Sequence, residues 1–417
     1  MTTIETSARI VMERCDLLAS YSEEADRLTR RFATPPMQQV NQQVAEWMRN
    51  AGMTAHEDQI GNVIGRYEAK QANARTLLLG SHLDTVRDAG KYDGPLGVMV
   101  ALACVERLHA RQTHLPFAIE VLGFADEEGL RYHSAYLGSN VVAGTLDPAV
   151  LSWLDSDGIP MAEAIRAAGG DPTNLLASRR LGDDLLGYCE VHIEQGSVLE
   201  SLHLPVGVVS AITGHSRIIV NFTGQAGHAG TVPMSLRHDA LCAASEFVLA
   251  AEQAGQRTAG LVATVGQMTV EPGASNVIPG QVTLSLDVRH QDNAIRQRAC
   301  QQLHACVREI GKIRQVATEW RFVQENGTVP CTPHLVRLLS QAIEQQGYRV
   351  QLLPSGAGHD SVALVTLTDV AMLFVRCQAG ISHNPAEAVT PEDVATAIQV
   401  MEQFLTLLAQ EQTGIRP

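Results

Sequence analysis

Apolar residues recur every three or four positions in residues 5–22 and again in 35–52, which predicts two opening helices, the second stopping at Gly52. From residue 62 the pattern changes. Nearly continuous apolar runs at 62–69, 76–82, 117–129 and 185–196 read as strands, the third running into an acidic loop, and 95–112 reads as a helix with Pro95 in its first turn. Alternating strands and helices of this kind predict an α/β sheet covered on both faces. The stretch from about 211 to 330 reads differently. Strand, helix, strand, strand, helix, strand follow in turn, a βαββαβ order. Within it, Val282, Leu284, Leu286 and Val288 alternate with Thr283, Ser285, Asp287 and Arg289, so one face is apolar and the other polar, as suits a sheet with helices on one side. The α/β pattern then resumes with helices at 332–347 and 391–411 around a strand at 369–377. The chain is therefore expected to be an α/β domain, residues 1–211 and 330–417, interrupted by a smaller α+β domain, residues 212–329.

Composition narrows the function. At about 150 residues per domain, 417 residues allow two or three. A net charge of −14 argues against nucleic acid and against anionic membrane surfaces as partners. The eight cysteines are scattered without a C-x-x-C pair, which favours a reducing cytosol over a disulfide framework. No basic region followed by an apolar stretch opens the chain, and no apolar run approaches the length of a membrane span, so a cytoplasmic protein is expected.

No G-x-S-x-G, P-loop, H-E-x-x-H or glycine-rich dinucleotide fingerprint is present. What remains is a set of histidines and acids at strand ends. "GSHLDTVRDAGKYDGPLG" holds His82, Asp84, Asp88 and Asp93. His82 and Asp84 are two apart and share a face of an extended segment, so Asp84 is placed to hold the other ring nitrogen of His82 or to sit close by. Asp93 precedes a turn and a helix start, where a carboxylate can bridge two cations. "FADEEG" places Asp126, Glu127 and Glu128 together, and like charges so packed raise at least one pKa unless cations compensate. One glutamate can then bind metal while its neighbour moves protons. His192 lies mid-strand in "EVHIEQG" and His383 follows the strand at 369–377. Each has an ordinary structural reading alone. Together, at strand ends of one sheet, imidazoles and carboxylates suit Zn²⁺, Mn²⁺, Co²⁺ or Ni²⁺.

These motifs, with "VHIEQGSVLE", "GHAGTVPM", "NVIPG", "DVRH", "SGAGHDS" and "GISHNPAE", run over nearly the whole chain. The sequence resembles the zinc-aminoacylase and carboxypeptidase-G type of co-catalytic metallohydrolases. Within them it is most similar to the branch of N-carbamoyl-L-amino-acid hydrolases and allantoate amidohydrolases. His192 stands where carboxypeptidase-like members carry an acid, which favours the amidohydrolase branch. The resemblance implies a metallohydrolase α/β domain with a ferredoxin-like lid and dimerisation domain, and a homodimer formed through it. It implies two divalent ions, one held by His82, Asp93 and His192, the other by Asp93, Glu128 and His383. Glu127 would be the general base, and His228, reaching in from a partner subunit, would stabilise the oxyanion. Arg289 and Asn276 would contact the substrate carboxylate and ureido group, with Arg217 and Gln195 as further contacts. Gly358 and His359 would supply a loop over the substrate. The implied reaction is hydrolysis of a ureido carboxylic acid with release of ammonia and CO2. Allantoate, within purine nitrogen salvage, is the first substrate choice, followed by N-carbamoyl-L-amino acids, then ureidoglycolate or N-carbamoyl-β-alanine. An aminoacylase or dipeptidase, or a silent binding protein on the same fold, are the rivals.

Overall fold

The computed structural model describes residues 3–414, and they fall into two compact units. The larger runs up to Ser210 and takes in Cys331–Leu353 and the chain from Gly358 onward; the smaller is Ala211–Pro330 with Pro354–Ala357.

Seven strands of a nine-stranded sheet lie in the order Thr54–Glu57, Val63–Tyr67, Ala118–Phe124, Thr76–His82, Leu185–Ile193, Val370–Val375, Val206–Ile212, and the short strands Val329–Pro330 and Leu352–Ser355 pair with the last of them. The four central strands are parallel, and the pairings beyond them are antiparallel. The central strands are buried along their whole length, which is why they read as unbroken apolar runs. Helix Pro95–Ala110 packs on Thr76–His82 and Leu185–Ile193 and is buried nearly all round. Helix Pro391–Gln412, started by Pro391 and by the Thr390 hydroxyl accepting from the Asp393 N–H, packs on Ile4–Ala19 and joins the two ends of the chain. A second apolar cluster includes Phe32, Tyr132, Leu137, Val141, Met161 and Ile165. Most of it comes from an insertion between residues 130 and 184 that hydropathy did not resolve, because its helices Leu137–Ala143 and Met161–Ala167 span only seven residues each. Strands Thr54–Glu57 and Val206–Ile212 were likewise not anticipated.

The smaller unit has the βαββαβ order expected: Gly214–Thr223, Ala240–Arg257, Val262–Glu271, Gln281–His290, Asn293–Arg314, Ala317–Asn326. Its strands pair antiparallel with the first and third strands central, the ferredoxin-like arrangement. Val282, Leu284, Leu286 and Val288 form its core with Phe222, Phe247 and Leu303. The fold class is thus α/β with an inserted α+β unit. The return of Pro354–Ala357 to the smaller unit, tied by the Thr213 N–H donating to the Ser355 carbonyl at 2.9 Å, has no counterpart in the hydropathy pattern.

Candidate metal centre

Strand Thr76–His82 ends on His82, and strand Leu185–Ile193 carries His192 one residue from its end. The chain leaves the first strand through a loop and enters helix Pro95–Ala110 at Asp93–Gly94, which brings Asp93 back to both imidazoles. Gly94 has a positive φ of 83°, and a Cβ there would lie 2.5 Å from the His82 ring. Only glycine both tolerates that backbone and leaves the ring its space.

The two imidazoles are locked in the same sense. His82 Nδ1 lies 3.0 Å from the backbone carbonyl of Asp84, and His192 Nδ1 lies 2.9 Å from its neighbour's carbonyl at Ile193. A carbonyl only accepts, so each Nδ1 carries a hydrogen, and each ring, when neutral, presents its lone pair at Nε2. Those Nε2 atoms face Asp93 Oδ1 at 3.7 Å for His82 and 3.0 Å for His192. Asp93 Oδ1 is buried and has no hydrogen-bond partner. Asp93 Oδ1 and the two Nε2 atoms therefore converge, buried, on one point where a cation, a metal ion or a proton, is needed between them.

The other carboxylate oxygen of Asp93 faces a second set. His383 Nε2 is 3.1 Å from Asp93 Oδ2 and 3.3 Å from Glu128 Oε1. His383 has a left-handed backbone, φ 54°, uncommon for a non-glycine residue and a conformation that clusters at functional sites. Gln195, at φ 55°, donates from Nε2 to Asp93 Oδ2 at 3.0 Å. It touches the acid that both sets share. The donor sets His82–Asp93–His192 and Asp93–Glu128–His383 each fit a divalent ion. Two further groupings, His82–Glu127–Glu128 and Glu190–His192–His359, overlap them.

Asp84 acts through two groups. Its backbone carbonyl holds His82, while its carboxylate stands 3.5 Å from that ring and accepts from the N–H groups of Glu127 at 2.9 Å and Glu128 at 3.1 Å. One aspartate thus fixes a histidine and the acidic loop together. Burial pushes the Glu127 carboxyl well above its usual pKa, and the neighbouring Glu128 pushes it the same way. That suits a group that takes and returns protons. Burial works against charge on His82, yet Asp84 and Asp93 hold its pKa well above the usual value. Burial would also raise Asp93, but the three histidines around it hold it well below the carboxylate range.

His359 is buried with its ring 4.5 Å from that of His192, and burial together with His192 holds its pKa well below that of a free imidazole. It packs against the centre as a neutral ring. Gly358 is fixed by shape, since a Cβ there would lie 1.9 Å from the Tyr136 hydroxyl. The remaining candidates belong to the smaller unit. His228 is exposed, pairs with Val277 in a short ladder, and accepts from the Gly230 N–H at Nδ1. Asn276 is adjacent, its carbonyl accepting from the Ala229 N–H at 3.0 Å. Arg289 sits bidentate on Asp287 at 2.8 and 2.9 Å, and Arg217 reaches the same carboxylate at 3.3 Å. Two guanidinium groups are therefore oriented by one aspartate that sequence reasoning assigned no task. Also unassigned were Glu190, buried between the Ser81 and Ser361 hydroxyls, and the pair Ser382 and Glu387. Only their closeness to His192 and His383 in sequence hinted at them.

Over residues 78–407 the sequence matches peptidase family M20/M25/M40. It is 40% identical over 385 residues to the N-carbamoyl-L-amino acid amidohydrolase of Geobacillus stearothermophilus, covering 92% of this chain and 94% of that one. It is 38% identical over 419 residues to the allantoate deiminase of Arabidopsis thaliana, covering 93% and 80%. Among solved structures, an amidase of the hydantoinase/carbamoylase family from Burkholderia multivorans aligns with a TM-score of 0.90 at 30% identity over 98% of each chain. Fold, donor sets and relatives together define a hydrolase of C–N bonds. The chain belongs to peptidase family M20/M25/M40, a metal-dependent family, and the two relatives above are named as an amidohydrolase and a deiminase.

Proposed function

We propose that the protein hydrolyses the carbamoyl C–N bond of a ureido carboxylic acid, allantoate first, with two divalent ions, Zn²⁺ or Mn²⁺ and alternatively Co²⁺ or Ni²⁺. The observation that carries the reading is the pair of donor sets that share Asp93, with buried Glu127 beside them. His82, Asp93 and His192 would hold one ion, and Asp93, Glu128 and His383 the other. When bound, such ions supply a Lewis acid that polarises the ureido carbonyl and makes water nucleophilic near neutral pH.

The chain's own groups do the rest. Glu127 takes a proton from the attacking water and returns it to the departing nitrogen. The C–N bond to that nitrogen breaks, ammonia leaves, and the resulting carbamate loses CO2. His228 of the partner subunit donates to the carbonyl oxygen as negative charge develops, a contribution of about 3 kcal/mol in comparable sites. Arg289, its fork preset by Asp287, receives the substrate carboxylate with Arg217 and Asn276. Gln195 fixes Asp93, and Gly358 and His359 shape the wall beside His192. The smaller unit is proposed to pair two copies in a homodimer, and the protein to work in the cytoplasm.

A second reading, an N-carbamoyl-L-amino-acid hydrolase, is favoured by the 40% identity to the Geobacillus stearothermophilus protein of that name. Ammonia release separates the two. It is measured from allantoate, several N-carbamoyl-L-amino acids, ureidoglycolate and N-carbamoyl-β-alanine, each with Mn²⁺, Zn²⁺, Co²⁺ and Ni²⁺ in turn. The highest kcat/KM is expected with allantoate. A higher value with an N-carbamoyl-amino acid selects the second reading, and turnover of N-acetyl-amino acids or dipeptides alone rejects both.

A further inference from the structure

We infer that Glu387, acting with Ser382, is a positioning residue for Asp93 and thereby sets how tightly the chain holds its metal ions. The inference rests on the metal-binding part of the reading above. Glu387 is 3% exposed and lies four residues beyond His383. Its Oε1 accepts from the Tyr92 N–H at 2.7 Å and the Asp93 N–H at 3.1 Å. Its Oε2 lies 3.1 Å from the Ser382 hydroxyl, which also lies 2.9 Å from Asp93 Oδ2. The hydroxyl has a single hydrogen, so it sits between the two carboxylates as a shared donor. One glutamate therefore grips both the backbone and, through serine, the side chain of Asp93.

The loop that carries Asp93 is shaped around this carboxylate. A Cβ on Gly90 would lie 2.3 Å from the carboxyl carbon of Glu387. With Oδ2 pinned by Ser382 and Gln195, Asp93 turns its other oxygen to His82 and His192. The same contacts tie the segment bearing His383 to the segment bearing Asp93, which are 290 residues apart in sequence. Ligands from both ends of the chain are thus brought to one centre by a residue that is not itself a ligand. Partners that orient ligands in this way are worth about 10–100-fold in metal affinity. A purely structural role would instead lower stability and leave affinity unchanged.

The test uses the full chain as wild type, Ser382→Ala, Glu387→Gln and Glu387→Ala. Zn²⁺ affinity is measured by competition with a chromophoric chelator, and the melting temperature of the metal-free protein is measured beside it. Ser382→Ala and Glu387→Ala are expected to weaken binding of at least one ion by about 10–100-fold. Glu387→Gln keeps an oxygen for the two N–H groups and is expected to lose less. Should Glu387→Ala fail to fold, Ser382→Ala decides, since it removes one hydroxyl only. Affinities equal to the wild type's in the folded variants, whatever their melting temperatures, overturn the inference and leave the metal reading intact. A wild type that takes up no stoichiometric ion overturns both.

Discussion

A neutral imidazole offers a metal one nitrogen, and the partner of the other nitrogen decides which. His82 and His192 both give Nδ1 to backbone carbonyls, so both aim Nε2 at Asp93. Glu127 and Glu128 are adjacent, yet their surroundings part them. Glu128 meets His383, while burial lifts the Glu127 carboxyl well above its usual pKa. Glu127→Gln is therefore expected to lower kcat by about 10²–10⁴-fold, with metal content and KM little changed. Steady-state kinetics beside metal analysis check this, and near-wild-type kcat would remove Glu127 from the proposed mechanism. At this scale the sequence was readable where chemistry and neighbourhood coincide. His82, Asp84 and Asp93 fall within twelve consecutive residues, and Glu127 and Glu128 are adjacent. Glu387 was not readable, because its partners Tyr92 and Asp93 are remote in sequence and an acid in a loop carries no mark of burial.

Elements explain why strand ends carry the chemistry. A strand buried on both faces can show a polar side chain to an open space only where the sheet stops, and His82 and His192 lie there. In the smaller unit, strand Gln281–His290 alternates between core and open face residue by residue, and hydropathy predicted its span. Leu284 points into the core and Ser285 away from it. Leu284→Ala is expected to cost about 2–5 kcal/mol of unfolding free energy, and Ser285→Ala no more than about 0.5 kcal/mol. Denaturant titrations of the two variants compare them; equal losses would mean the strand is out of register. Thr54–Glu57 escaped prediction because its sequence, TAHE, has no apolar run and its form comes from pairing with Val63–Tyr67. A four-residue edge strand has little period of its own to read.

At the scale of the molecule, the centre gathers residues from positions 82 to 387 onto one sheet, so a bound ion would link segments that the chain keeps far apart. Any ligand that binds only the folded state adds stability by mass action, about 2.7 kcal/mol at a hundred times its dissociation constant. Treatment with a chelator is expected to abolish activity and lower the melting temperature, and Zn²⁺ or Mn²⁺ to restore both. Calorimetric melting with parallel ammonia assays tests this. Unchanged activity and melting after complete chelation would end the metal-dependent reading. Among the described residues no helix is long and apolar enough to cross a membrane.

The sequence by itself determined the class of each domain, the order of most elements and the residue types able to hold metal. These follow from periodicity and from side-chain chemistry, both of which are local. The tertiary structure alone decided the sheet order, the packing of the 130–184 insertion and the atoms through which each residue acts. It placed the backbone carbonyl of Asp84, not the carboxylate, on His82, and it brought Glu387 under Asp93. Such contacts depend on which distant segments the core draws together, and burial of apolar surface, which draws them, is not directional. A linear reading can name the donors; only the packed chain sets which lone pairs face the same point in space.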